Sequence, residues 1–142
     1  MAKAIYTAEA TVTGGRVHGH GRTSDGELDV QLRPPGDDEA GTNPEQLFAV
    51  GYAACFEGAL STVARRERAE IGDVSINSRV SLVTGPERSF TIAVALDVTL
   101  PELDDAEEAA RIVAAAHKVC PYSNATRGNI DVELTANGRE VA

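Results

Sequence analysis

Two cysteines, Cys55 and Cys120, are the residues of this chain best suited to covalent chemistry. A cysteine reacts as its thiolate, so each is judged by the positive charge or backbone dipole around it. Cys55 stands in the middle of a long apolar segment that reads as a buried helix. It lies about 11 residues, roughly 16 Å, from the start of that helix. The helix dipole therefore reaches it weakly, and burial raises its pKa. On local pattern Cys55 is either a core cysteine or a nucleophile that needs a cation from elsewhere in the fold. Cys120 stands at the cap of a short helix opened by Pro121, where free backbone N–H groups favour a thiolate. Local physics makes it the better nucleophile, with a cysteine that merely fills a helix junction as the alternative.

Other constellations are weaker. His18 and His20 fall on one face of what reads as a strand, a spacing that could bind metal. His117 is the only other histidine and no third ligand suggests itself, so no metal site is expected. No Gly-x-Ser-x-Gly elbow supports hydrolysis by a Ser-His-Asp triad. No glycine motif for phosphate is present. Two cysteines are too few for a disulfide scaffold and lack zinc spacing. Arg16 reads by itself as a solvated turn residue, and Glu45 as an ordinary acid near a helix N-terminus.

The elements that must position these groups fit one domain over residues 1–142. Hydrophobic residues make up 42% and aromatics only 4%, so the core must be aliphatic. The net charge of −9 disfavours nucleic acid and anionic lipid as partners. No apolar run approaches the roughly 20 residues of a membrane span. The opening residues Met1 to Tyr6 lack the apolar stretch of a signal peptide. The expected location is cytoplasmic, where thiols rest reduced and a disulfide is transient and chemical.

Tyr6 to Thr13 alternates with a period of two, as a strand does. Gly14-Gly15 and Ser24-Asp25-Gly26 mark turns around further strands over Arg16–Thr23 and Leu28–Leu32. Pro34 to Gly41 reads as a mobile loop. Asn43, Pro44 and Gln46 form a strong helix start, and from Leu47 to Phe56 the helix is apolar all round, hence buried. Gly51 and Gly58 cost helix propensity and suggest close approach of another backbone. A long hairpin follows, turning at Thr84 to Glu87. A second helix is expected with Asp104 as cap and Glu107 completing the box, ending near Lys118. The short helix after Cys120 stops at Gly128, and a last strand holds Ile130, Val132 and Leu134, with a turn at Asn137-Gly138. This order makes an α+β fold with mainly antiparallel pairing.

Three segments together resemble a known family. They are Val12-Thr13-Gly14-Gly15-Arg16, the run from Thr42 to Phe56 (TNPEQLFAVGYAACF), and the run from Val119 to Asn129 (VCPYSNATRGN). They are similar, in order and spacing, to the signature segments of the organic hydroperoxide resistance (Ohr) proteins of the OsmC/Ohr superfamily. The resemblance implies an intertwined homodimer with antiparallel sheets around two central helices. It implies a thiol peroxidase for alkyl and fatty-acid hydroperoxides that uses no metal, flavin or other cofactor. Cys55 matches the attacking cysteine and Cys120 the resolving one. Arg16 and Glu45 match the pair that holds the thiolate and orients the peroxide. Dihydrolipoyl groups on lipoylated proteins are the implied reductant. The alternatives are a thiol redox sensor or binding module without turnover, and a ligand-binding dimer with inert cysteines. Glu45 and Cys55 are 10 residues apart on one helix, roughly 15 Å along it, so the Arg16–Glu45 pair serving a given Cys55 is expected from the partner chain.

Overall fold

The structure, a computed structural model, describes residues 2–141. Two compact units divide the chain, Met1–Leu47 and Phe48–Ala142.

The first unit is a three-stranded antiparallel meander of β1 (Ala10–Thr13), β2 (Gly19–Thr23) and β3 (Asp29–Leu32), in that order. The first strand is shorter than its alternation suggests. Its pairing ends where Ala10 meets Thr23, and Ile5 and Tyr6 lie exposed before it. The first turn is longer than expected. Gly14 and Gly15 take positive φ values of 77° and 68°, conformations that favour glycine, and the loop runs on through His18. Arg16 and His18 therefore sit in the loop rather than on a strand. His20 lies on β2, bound through Nε2 to Asp29 at 2.5 Å. The second turn forms as expected, with the Asp25 carboxylate accepting from Thr23 Oγ1 and the Glu27 N–H. Residues 34–41 are irregular, but their ends are tied. Leu32 bridges Thr42, and the Arg33 guanidinium donates to the Gly19 and Leu32 carbonyls and to Glu39.

The helix α1 spans Pro44–Glu67. Its start is as the sequence indicates: the Gln46 N–H donates to Asn43 Oδ1 at 2.9 Å. Its burial is not. Tyr52, Phe56, Ala59, Leu60, Val63 and Ala64 make one buried stripe at helical spacing. The opposite side, with Val50 at 72% exposure, Ala54 and Gly58, faces outward in the single chain. By length and composition α1 could also cross a membrane, contrary to the sequence reading. Its Tyr52–Ala64 stripe lies in the core, which accounts for part of its apolar composition.

The second unit holds a four-stranded sheet of β4 (Ser75–Thr84), β5 (Phe90–Thr99), β6 (Val132–Ala136) and β7 (Arg139–Glu140), in chain order. The β4–β5 hairpin turns through a tight 3-10 turn at Pro86–Arg88. β5 and β6 run parallel, because a helical crossover joins them rather than a tight turn. That crossover is α2 (Ala106–Val119) followed by α3 (Pro121–Thr126). The cap of α2 is Asp105, one residue later than expected. Its carboxylate accepts from the Glu107 and Glu108 N–H groups, which Asp104 would be too early in the chain to do. The core gathers the α1 stripe, Val94, Leu96, Val98 and Leu100 of β5, and Ala109, Ile112, Val113 and Ala116 of α2.

Candidate active site

The four candidate residues form two pairs, one in each unit. In the first unit the Arg16 guanidinium is ion-paired with the Glu45 carboxylate. Gly14 and Gly15 shape the loop that presents Arg16, and the first turn of α1 presents Glu45. The arginine side chain is 46% exposed and the glutamate 18%. Such a pair keeps the guanidinium fork oriented while leaving further N–H groups to bind another anion.

In the second unit Cys120 Sγ lies 3.5 Å from Cys55 Sγ. Both are free thiols. A disulfide requires the sulfurs to come about 1.5 Å closer, to a bond of about 2.05 Å. Their access differs. Cys120 is fully buried, at 0% exposure, whereas Cys55 is half-buried. Cys55 opens onto a cleft lined by Ala54, Gly58, Ala59, Thr62, Arg66, Val119 and Pro121. A bulky electrophile can therefore reach Cys55 and not Cys120, which reverses the ranking given by local sequence physics.

The structure also shows where that local reading misled. Cys120 does cap α3, directly before Pro121, but its side chain makes no capping hydrogen bond. A backbone hydrogen bond from Tyr122, in the first turn of α3, goes instead to Cys55 and lowers its pKa. Free amides at the start of a helix do favour a thiolate here, on a sulfur 65 residues away. The net direction at Cys55 is still upward. Burial is the largest cause, and the hydrogen bond and charge of Cys120 add to it. Within its own unit burial thus outweighs the Tyr122 hydrogen bond at Cys55, although Arg66 lines the same cleft.

Three residues missed by the sequence reading hold this geometry. Tyr52, one turn before Cys55 on α1, is fully buried. Its hydroxyl meets Ser123 Oγ at 2.8 Å and Thr126 Oγ1 at 3.1 Å, both buried on α3. Thr126 Oγ1 spends its proton on the Tyr122 carbonyl at 2.9 Å. Tyr52 therefore donates to Thr126 and accepts from Ser123, since each hydroxyl has one proton. The Tyr122 ring stacks on Phe48, with centroids 5.4 Å apart, and meets Tyr52 edge-on at 5.6 Å. A Cβ on Gly51 would come within 3.1 Å of Tyr122 Oη. The close neighbour that Gly51 implies is thus an aromatic side chain, not a backbone, while a Cβ on Gly58 would meet open space. The available signal was the spacing: Tyr52 to Cys55 and Ser123 to Thr126 are each one helical turn. Among the described residues no group of three or more His, Cys, Asp or Glu could hold a metal ion.

Comparison with known proteins agrees in length and fold. The OsmC-like protein family matches residues 35–135. The organic hydroperoxide resistance protein of Xanthomonas axonopodis pv. citri (strain 306) is 51% identical over 138 residues, covering 94% of this chain and 95% of its own. The crystal structure of the organic hydroperoxide resistance protein OhrB of Bacillus subtilis superposes with a TM-score of 0.86 at 49% identity, covering 92% of this chain and 98% of that one. That of an organic hydroperoxide resistance protein from Legionella pneumophila also gives 0.86, at 50% identity over 93% and 97% of the two chains. The fold is the α+β fold of these structures, and the chain belongs to the OsmC family, within its group of organic hydroperoxide resistance proteins.

Proposed function

We propose that this protein is a thiol peroxidase that reduces organic hydroperoxides to alcohols. The observation that carries the proposal is the contact between a reachable sulfur, Cys55, and a buried one, Cys120, at 3.5 Å. The names of the relatives supply the substrate class. The Cys55 thiolate attacks the outer peroxide oxygen; the O–O bond breaks, Cys55 becomes a sulfenic acid, and the alkoxide leaves as alcohol after taking a proton. The Cys120 thiol condenses with the sulfenic acid, forming the disulfide and releasing water. An external dithiol, in this reading a dihydrolipoyl group on a lipoylated protein, is oxidised to its own disulfide and restores both thiols.

Residues 1–142 work as one functional domain in this reading, in the cytoplasm and as a homodimer. The reading gives Arg16 the task of holding the Cys55 thiolate and aiming the peroxide, with Glu45 orienting the guanidinium. The pair belongs to the partner chain, because a straight α1 separates Glu45 from Cys55 by roughly 15 Å. The outward Val50, Ala54 and Gly58 side of α1 is the apolar surface such a partner would cover. The aliphatic part of the cleft at Cys55, from Ala54, Ala59, Val119 and Pro121, suits an alkyl tail, with Thr62 and Arg66 as its polar side.

Consumption of cumene hydroperoxide under excess dihydrolipoamide tests the proposal. Catalytic turnover, lost in Cys55→Ser, is expected. Stoichiometric oxidation without turnover would make the thiol pair a redox sensor instead.

A further inference from the structure

We infer that Tyr52 is a positioning residue for both cysteines, acting through its hydroxyl on α3. The inference rests on the peroxidase reading only for its biological meaning; its geometry stands alone. α3 has six residues, too few to hold its own place by backbone bonds. It nevertheless carries the Sγ of Cys120 at its cap, 3.5 Å from the Cys55 sulfur, and the backbone of Tyr122, which acts to lower the Cys55 pKa. What joins the middle of α3 to α1 is the buried hydroxyl trio. Tyr52 Oη bridges Ser123 and Thr126, one helical turn apart, and it sits one turn before Cys55 on the helix that carries that sulfur. Beside the Phe48–Tyr122 stack, this side chain supplies the directional bonds that set the distance and rotation of α3 against Cys55.

This arrangement couples two properties that are otherwise independent. If α3 slips, the Cys120 sulfur recedes, and the disulfide becomes less favourable. The same slip draws the Tyr122 amide from Cys55, and the thiolate becomes harder to form. The trio is buried and each hydroxyl has a defined donor or acceptor role, so removing one oxygen leaves buried partners unsatisfied.

The test is Tyr52→Phe in the full-length protein, which keeps the ring among Phe48 and Tyr122 and deletes only the oxygen. Two quantities are read, neither involving a hydroperoxide. One is the Cys55–Cys120 disulfide equilibrium in buffers of reduced and oxidised dithiothreitol. The other is the pH midpoint for alkylation of Cys55, measured in a Cys120→Ser background. The disulfide should weaken about tenfold, the scale of one buried hydrogen bond, which is about 30 mV in potential. The alkylation midpoint should move upward. A tyrosine that serves only global stability would move neither quantity in a protein that stays folded. Should Tyr52→Phe not fold, Ser123→Ala, which deletes the shorter bond, is read by the same two criteria. Both quantities must move, and a folded variant that keeps either at its wild-type value overturns the inference. Failure of the wild type to consume hydroperoxide would instead overturn the peroxidase reading and leave these measurements unaffected.

Discussion

The two units of this chain treat burial in opposite ways. In Phe48–Ala142 a continuous aliphatic core runs from α1 through β5 to α2, and both sulfurs lie in or against it. In Met1–Leu47 Leu32 is the one buried hydrophobic among the described residues, and the notable feature is a half-exposed ion pair, Arg16 with Glu45. A dry core can fix two sulfurs in contact, but it pushes the reactive thiol toward its neutral form. A solvated loop keeps a guanidinium charged but gives it no enclosed site. Thiolate chemistry needs both, which is why the proposed mechanism must join a group of one kind to a group of the other.

The largest effect is expected at the sulfurs. Cys55→Ser should reduce steady-state hydroperoxide consumption to the uncatalysed background. Cys120→Ser should permit one turnover and then stall, with Cys55 trapped as sulfenic acid or oxidised further, as read by a single-turnover burst and by mass spectrometry. Persistent cycling of Cys120→Ser with dihydrolipoamide would remove the buried sulfur from the mechanism. Core substitutions come next. Phe56→Ala should cost about 3–5 kcal/mol by denaturant unfolding, since Phe56 is fully buried.

The charged side of the comparison is tested by pH. Burial raises the pKa of Cys55 in its own unit, so its thiolate fraction grows as pH climbs past the ordinary thiol range. If Arg16 offsets this in the working protein, Arg16→Ala should move the midpoint of Cys55 alkylation upward. An unchanged midpoint would detach the ion pair from the thiol.

The smallest effects concern the two glycines of α1. Gly51→Ala should gain less than Gly58→Ala, because its Cβ would come within 3.1 Å of Tyr122 Oη and offset the gain in helix propensity. Gly58→Ala should gain up to about 1 kcal/mol in a single chain, since its Cβ meets nothing within 4 Å. A loss at Gly58, together with a fall in dimer by sedimentation, would mean that a second chain lies on that side of the helix.

Much of this was legible because it is local. The α1 start is encoded by Asn43, Pro44 and Gln46, and the long hairpin by alternation around a turn. The resemblance carried by three short segments named the family. What escaped depends on partners far apart in sequence. The alternation at Tyr6 promised a strand, but none pairs there. Nothing local distinguishes Asp104 from Asp105 as a cap. The parallel pairing of β5 and β6 arises from the crossover between them. That the backbone of Tyr122, beside the Cys120 cap, acts on Cys55 could not be read locally, because only the fold brings the two together. The same is true of the bridge from Tyr52 to Ser123 and Thr126.

The central claim is that Cys55 attacks and Cys120 resolves. Its most direct test is peptide mass mapping of the reduced protein after one equivalent of cumene hydroperoxide, beside the Cys120→Ser variant. A Cys55–Cys120 disulfide is expected in the wild type and one added oxygen on Cys55 in the variant. Oxygen appearing first on Cys120, or Cys55 remaining unmodified while the hydroperoxide is consumed, would contradict it.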